Sequence, residues 1–142
     1  MARFRTKNLR RALTADYYTW KLTITTEMVN IGIKRIYDAP EERDGYRILV
    51  DRIWPRGVSK EDAELDEWAK EIAPSDKLRK WFDHDPDKFM EFDKRYRLEL
   101  QEKEEKLNEL REKAKENMLT LLYGAKDTEH NQAIVLKKIL EN

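Results

Sequence analysis

The sequence predicts an α/β domain in which a small layered sheet is flanked by helices, with one additional N-terminal strand as an option. Three observations carry this reading. Short apolar runs bounded by turn residues occur at 31–37 (IGIKRIY), 46–51 (YRILVD) and 118–123 (MLTLLY). Between the last two, Phe89, Phe92, Tyr96 and Leu100 recur at helical spacing, and Leu107, Leu110 and Ala114 continue the pattern. The length of 142 residues suits one domain, enough to bury a core without disulfides or structural metal.

Residues 1–27 differ in composition from the rest. They hold six Lys/Arg against two Asp/Glu, and a second methionine, Met28, stands at the boundary. The expectation is a dispensable N-terminal extension over 1–27 and a single α/β domain over 28–142. Against dispensability stands Tyr18-Thr19-Trp20-Lys21-Leu22-Thr23-Ile24-Thr25, which alternates apolar and polar residues as a half-buried strand does.

The elements follow in order. After the 31–37 strand, Asp38-Ala39-Pro40 opens a loop that Asp44-Gly45 closes, and 46–51 forms a more buried strand. The connection is too short for a crossover helix, so the relative direction of the two strands stays open. Ser59 is an N-cap for a short helix, and LDEWAKEIA is ambiguous between extended and helical. Ser75 caps the next helix, and Asp85-Pro86 places an aspartate cap before a proline at the first helical position. MLTLLY, between a polar helix end and Gly124, has the pattern of a buried strand. A turn over 124–131 leads to a last helix carrying Ile134, Val135, Ile139 and Leu140.

Composition excludes several functions. The absence of cysteine removes thiol nucleophiles, disulfides and cysteine-ligated zinc. A formal net charge of zero argues against a body that tracks nucleic acid. No apolar run reaches the roughly 18 residues of a membrane span, so no membrane partner is expected. No phosphate loop, dinucleotide fingerprint, HExxH or nucleophile elbow occurs, and neither a cofactor nor a metal is expected.

The candidate chemistry lies after the two most buried strands. One runs into Asp51, Arg52, Trp54, Pro55 and Arg56; the other runs into Gly124, Lys126, Asp127, His130 and Asn131. Ligands of open α/β sheets gather outside the carboxyl ends of strands, and a helix start adds free N–H groups. Arg52, Arg56 and Lys126 are therefore expected to meet at one basic cleft, with Trp54, Asp127 and Asn131 beside them. Each has a plainer reading: Arg52 as the local partner of Asp51, Arg56 and Lys126 as solvated charges, Asp127 as a helix cap, and Trp54 as core. His130 is the acid/base candidate near this cleft, with Asp51 as a second catalytic candidate. His84, in DHDPD, reads as part of a capping turn rather than a metal ligand.

KRIYDAP, DGYRILVDRIWPRGVSKEDAELDEW, IAPSDKLRKWFDHDPDKF and TLLYGAKDTEHNQA resemble the YeaO-like branch of the domain-of-unknown-function 488 family. The resemblance covers about residues 30–142 and leaves 1–27 outside. It implies an α/β layered fold and a cytoplasmic, prokaryotic setting, and it brings no activity with it. More distant members carry a Cys-His-Arg run where this chain has Asn131, Gln132 and Ala133, so thiol chemistry does not carry over. The functional expectation is a basic cleft that binds a small anionic ligand, a phosphorylated metabolite or nucleotide, with transferase or hydrolase chemistry as an extension. The alternatives are a nucleic-acid-binding module using the basic arm, and a protein-interaction or regulatory module using the charged helix over 101–117.

Overall fold

The computed structural model describes residues 28–142. The extension over 1–27, with its candidate strand and basic arm, lies outside the described residues. Four strands form one parallel sheet: β1 (Ile31–Arg35), β2 (Tyr46–Leu49), β3 (Glu67–Trp68) and β4 (Leu119–Tyr123), in the order β1-β4-β2-β3. The question of direction left open between the first two strands has a simple answer. They do not pair with each other; β4 lies between them and runs parallel to both, with Ile33 and Ile48 flanking Leu121. All five residues of β4 are buried, as expected of a parallel strand covered on both faces.

The period of two assigns each face its layer. Ile48, Val50, Leu119, Leu121 and Tyr123 join the main core beneath four helices: α2 (Asp76–Phe82), α3 (Phe89–Leu100), α4 (Glu104–Glu116) and α5 (Gln132–Glu141). Leu49 and Leu122 face the other way, into a smaller cluster with Ile36 and Ala63, the latter on the short α1 (Lys60–Ala63). The helical stripe read from the sequence buries Phe92, Tyr96, Leu100, Leu107, Leu110 and Ala114. Among the described residues no helix is long and apolar enough to cross a membrane.

The caps show why the helices start where they do. Ser59 accepts from Asp62 N at 2.9 Å and Ser75 from Leu78 N at 3.1 Å, each satisfying an orphan N–H of a first turn. Asp85 accepts from Asp87 N, but the element it opens is a single 3₁₀ turn (Pro86–Lys88) that leads into α3. The ambiguous LDEWAKEIA divides into β3 and a 3₁₀ turn at Lys70–Ile72.

Gly45 fixes the entry to β2. Its φ is +64°, and a Cβ there would stand 2.3 Å from the Met118 carbonyl oxygen, which accepts from Tyr46 N. Gly45→Ala therefore combines backbone strain with a collision against β4, and is expected to cost about 1–3 kcal/mol in chemical denaturation. An unchanged midpoint would show that this turn relaxes freely.

Candidate functional site

The carboxyl ends of β2 and β4 open onto one cavity of about 370 Å³. Beyond β2 the chain continues through Val50 to Asp51, whose backbone carbonyl accepts from Trp68 Nε1 at 2.7 Å. The Asp51 carboxylate bridges to the far side of the sheet end. Its Oδ2 accepts from Gly124 N at 3.0 Å, and its Oδ1 accepts from the Gln132 side-chain amide. Burial pushes the Asp51 carboxyl up to about 6, partly offset by the Gly124 N–H and the Gln132 amide. Gly124 permits this approach, since a Cβ there would lie 2.9 Å from Asp51 Oδ2 and 3.5 Å from Pro55 Cβ. From the other side, Arg35 holds the same loop by donating to Ala125 O at 2.9 Å and Gly124 O at 3.2 Å.

Among the described residues three arginines line the cavity, Arg52, Arg56 and Arg79. Arg52 donates from Nε to Pro74 O at 2.8 Å, which leaves its terminal nitrogens uncommitted, and it does not form the local pair with Asp51 that was its plainer reading. Arg56 is exposed, and its backbone carbonyl accepts from Tyr37 Oη at 2.8 Å. Among the described residues neither Arg52 nor Arg56 meets a carboxylate, whereas Arg43, Arg47, Arg95, Arg97 and Arg111 each do. Arg79 pairs with Asp76 at 3.3 Å through one terminal nitrogen, while its Nε is buried without a partner. Among the described residues the sole carboxylate in the lining is Asp51.

The other predicted residues divide. Trp54 lines the cavity and also packs edge-on against Trp68, with its Nε1 donating to Val58 O; wall and core readings both describe it. Asn131 is 1% exposed and caps α5, accepting from Ile134 N at 3.1 Å and donating to Asp127 O at 2.9 Å. The cap is thus Asn131, not Asp127, and His130 lies in the turn before the helix. Lys126, Asp127 and His130 are not among the cavity-lining residues. Asp127 closes its own turn, accepting from Glu129 N, His130 N and His130 Nδ1, and these donors, led by the Glu129 N–H, hold its carboxyl below its ordinary range. His130 stands edge-on to Phe89 at 5.2 Å.

Sequence reasoning missed Arg79, His84 and Gln132 as lining residues. His84 reaches the cavity because Asp83 and His84 both take left-handed backbone, with φ of +47° and +56°. Two such non-glycine residues in succession are uncommon and concentrate where surroundings over-determine them. A short Asp-His-Asp-Pro segment after a helix hints at an abrupt turn; nothing local in the sequence foretells the Gln132 contact with Asp51, 81 residues away.

A family model described as "Inactive DUF488-N3 subclade" matches residues 30–142. The chain belongs to the DUF488-N3i family. Within this DUF488 group it is 51% identical over 108 residues to "Uncharacterized protein YeaO" of Escherichia coli (strain K12), covering 76% of this chain and 94% of that protein. It is 37% identical over 110 residues to "Uncharacterized protein Rv3073c" of Mycobacterium tuberculosis (strain ATCC 25618 / H37Rv), covering 78% and 92%. No solved structure matches this DUF488 chain. The family match begins at residue 30, after Met28.

Proposed function

We propose that the cavity at the carboxyl end of the sheet binds a small anion and does so without transforming it. The observation that carries this reading is the gathering of Arg52, Arg56 and Arg79 around one cavity in which the sole carboxylate is already engaged. Among the described residues Arg52 and Arg56 meet no carboxylate, and Arg79, paired with Asp76, adds to the positive surroundings; like charges beside a shared space repel one another, and an anion in that space relieves the repulsion. The α5 start lies alongside, since Asn131 and Gln132 both line the cavity, and the positive end of the helix dipole acts in the same direction.

The make-up of the lining supports binding without reaction. Among the described residues it contains no serine, threonine or cysteine, Tyr37 Oη is committed to the Arg56 carbonyl, and Asp51 and His84 are the acid/base groups that remain. The positions where more distant members carry a Cys-His-Arg run hold Asn131, which caps α5, and Gln132, which donates to Asp51. The description "inactive" attached to the matching family agrees with that change of role.

Thermal unfolding with and without phosphate tests the reading. Phosphate at 100 times its dissociation constant should stabilise the fold by roughly 2.7 kcal/mol. Arg56→Ala should remove that response with little change in the unliganded midpoint, because the side chain is exposed and meets no carboxylate. Arg52→Ala should also remove it, at a cost of about 1 kcal/mol for the lost bond to Pro74 O. An anion response that survives in the double variant would sink the proposal.

A further inference from the structure

We infer that the anion this cavity takes is a phosphomonoester carrying one flat ring system, such as a nucleoside monophosphate or an aryl phosphate. The inference rests on the reading of the cavity as an anion site and specifies its ligand. The head group follows from the count and disposition of donors. Arg52 is anchored through Nε, so its terminal fork is the part left to a ligand. Arg56, exposed and without a carboxylate partner among the described residues, adds a second guanidinium, while Arg79 on the same lining is already paired with Asp76 and contributes positive charge rather than a free fork. One planar carboxylate has two oxygens and is satisfied by a single fork, whereas a phosphomonoester dianion presents three terminal oxygens, enough to engage both Arg52 and Arg56.

The body of the ligand follows from the walls. Trp54, Tyr37 and Ile53 stand on the lining with Phe82 and Phe92. Tyr37 and Ile53 are large side chains left 45% and 55% exposed at this cavity, whereas the other strongly exposed large apolar side chains among the described residues, Met28, Met90 and Leu98, lie elsewhere. Exposed apolar surface rimmed by arginine marks a place where an apolar group sits. Two acceptors complete the lining. The Asp51 carboxylate retains lone pairs beyond those used by Gly124 and Gln132, and the Gln132 carbonyl oxygen is left over once its amide nitrogen donates to Asp51. Hydroxyl or amino groups on the ligand body are the natural donors to both. Size sets the upper limit: about 370 Å³ is near the small end of ligand pockets, room for a head group and one ring system but not for a dinucleotide.

Titration calorimetry on the full chain with phenyl phosphate, AMP, benzoate and inorganic phosphate tests this. Phenyl phosphate or AMP should bind at least tenfold more tightly than inorganic phosphate and than benzoate, and the better of the two identifies the ring source. Ile53→Ser, at an exposed position that spares folding, should reduce the advantage over inorganic phosphate severalfold and leave inorganic phosphate affinity unchanged. If inorganic phosphate binds as tightly as both esters, the ring is refuted while the anion site stands. If benzoate equals phenyl phosphate, the phosphoester is refuted while the anion site again stands. If none of the four binds, the anion site and its ligand class fall together.

Discussion

Replacing Phe92 with alanine is expected to lower the free energy of unfolding by about 3–5 kcal/mol. The ring is 1% exposed and stacks on Phe82 with centroids 4.2 Å apart and planes at 24°. On the same helix Tyr96 lies 5.6 Å away and Phe89 6.1 Å away, so Phe92 sits inside a run of aromatic rings. Truncation removes the transfer free energy of the ring and leaves a void that α2 and α3 can only partly close. Urea denaturation of the variant and the parent checks this. A loss under about 1 kcal/mol would mean that the α2–α3 contact contributes little to the core. Phe92 also borders the cavity proposed to bind an anion, and the proposal expects the variant to keep a phosphate response if enough of the fold survives.

The second expected result is a gain in stability that depends on pH. The Asp51 carboxyl is raised in the folded chain from its ordinary value near 3.8 to about 6 by burial. Below pH 3.8 it is protonated in both states and makes no difference. Between about 4 and 6 the folded chain holds a proton that the unfolded chain has released, so stability falls as pH rises through that window. Above 6 the folded chain carries a buried carboxylate, and the full cost, about 3 kcal/mol for a shift of about two units, is in place. Asp51→Asn should erase this step. Its side-chain oxygen can still accept from Gly124 N–H, and Gln132 can turn its amide to present the carbonyl oxygen. At pH 7.5 the variant should exceed the parent by up to about 3 kcal/mol, and at pH 4 the two should nearly coincide. Equal differences at both pH values would refute the buried-charge account. The same substitution removes the one carboxylate in the lining, so phosphate affinity at pH 7.5 should rise, the opposite of what a catalytic aspartate predicts for substrate turnover.

Several elements were legible because their causes are local. Ser59 and Ser75 cap helices through contacts three residues away, and the stripe from Phe89 to Ala114 repeats at the helical period. The apolar run over 118–123 announced a buried strand, and Leu119–Tyr123 form one with all five residues buried. The 31–37 and 46–51 strands were drawn too long by two residues each at the carboxyl end. There the chain leaves the sheet to form the cavity wall, and a hydrophobic pattern does not register that departure. The turn over 124–131 was legible, but which residue caps α5 was not: Asp127 and Asn131 are both competent caps, and only the docking of α5 against β1, β4 and α4 selects Asn131.

The sequence by itself determined the layered α/β class, the burial of the central strand and the position of Arg52, Arg56 and Trp54 just beyond a strand end, because these depend on periodicity and on residues near in the chain. Only the tertiary structure decided that β4 inserts between β1 and β2, that Arg52 spends its Nε on Pro74 rather than pairing with Asp51, that Arg79 and His84 join the cavity while Lys126 and His130 do not, and that Asp51 is held by Gly124 and Gln132. The reason is one of range. Spacing along the chain fixes which way a side chain points from its own strand or helix, but the partner across 73 or 81 residues is set by which segments pack together to bury the core.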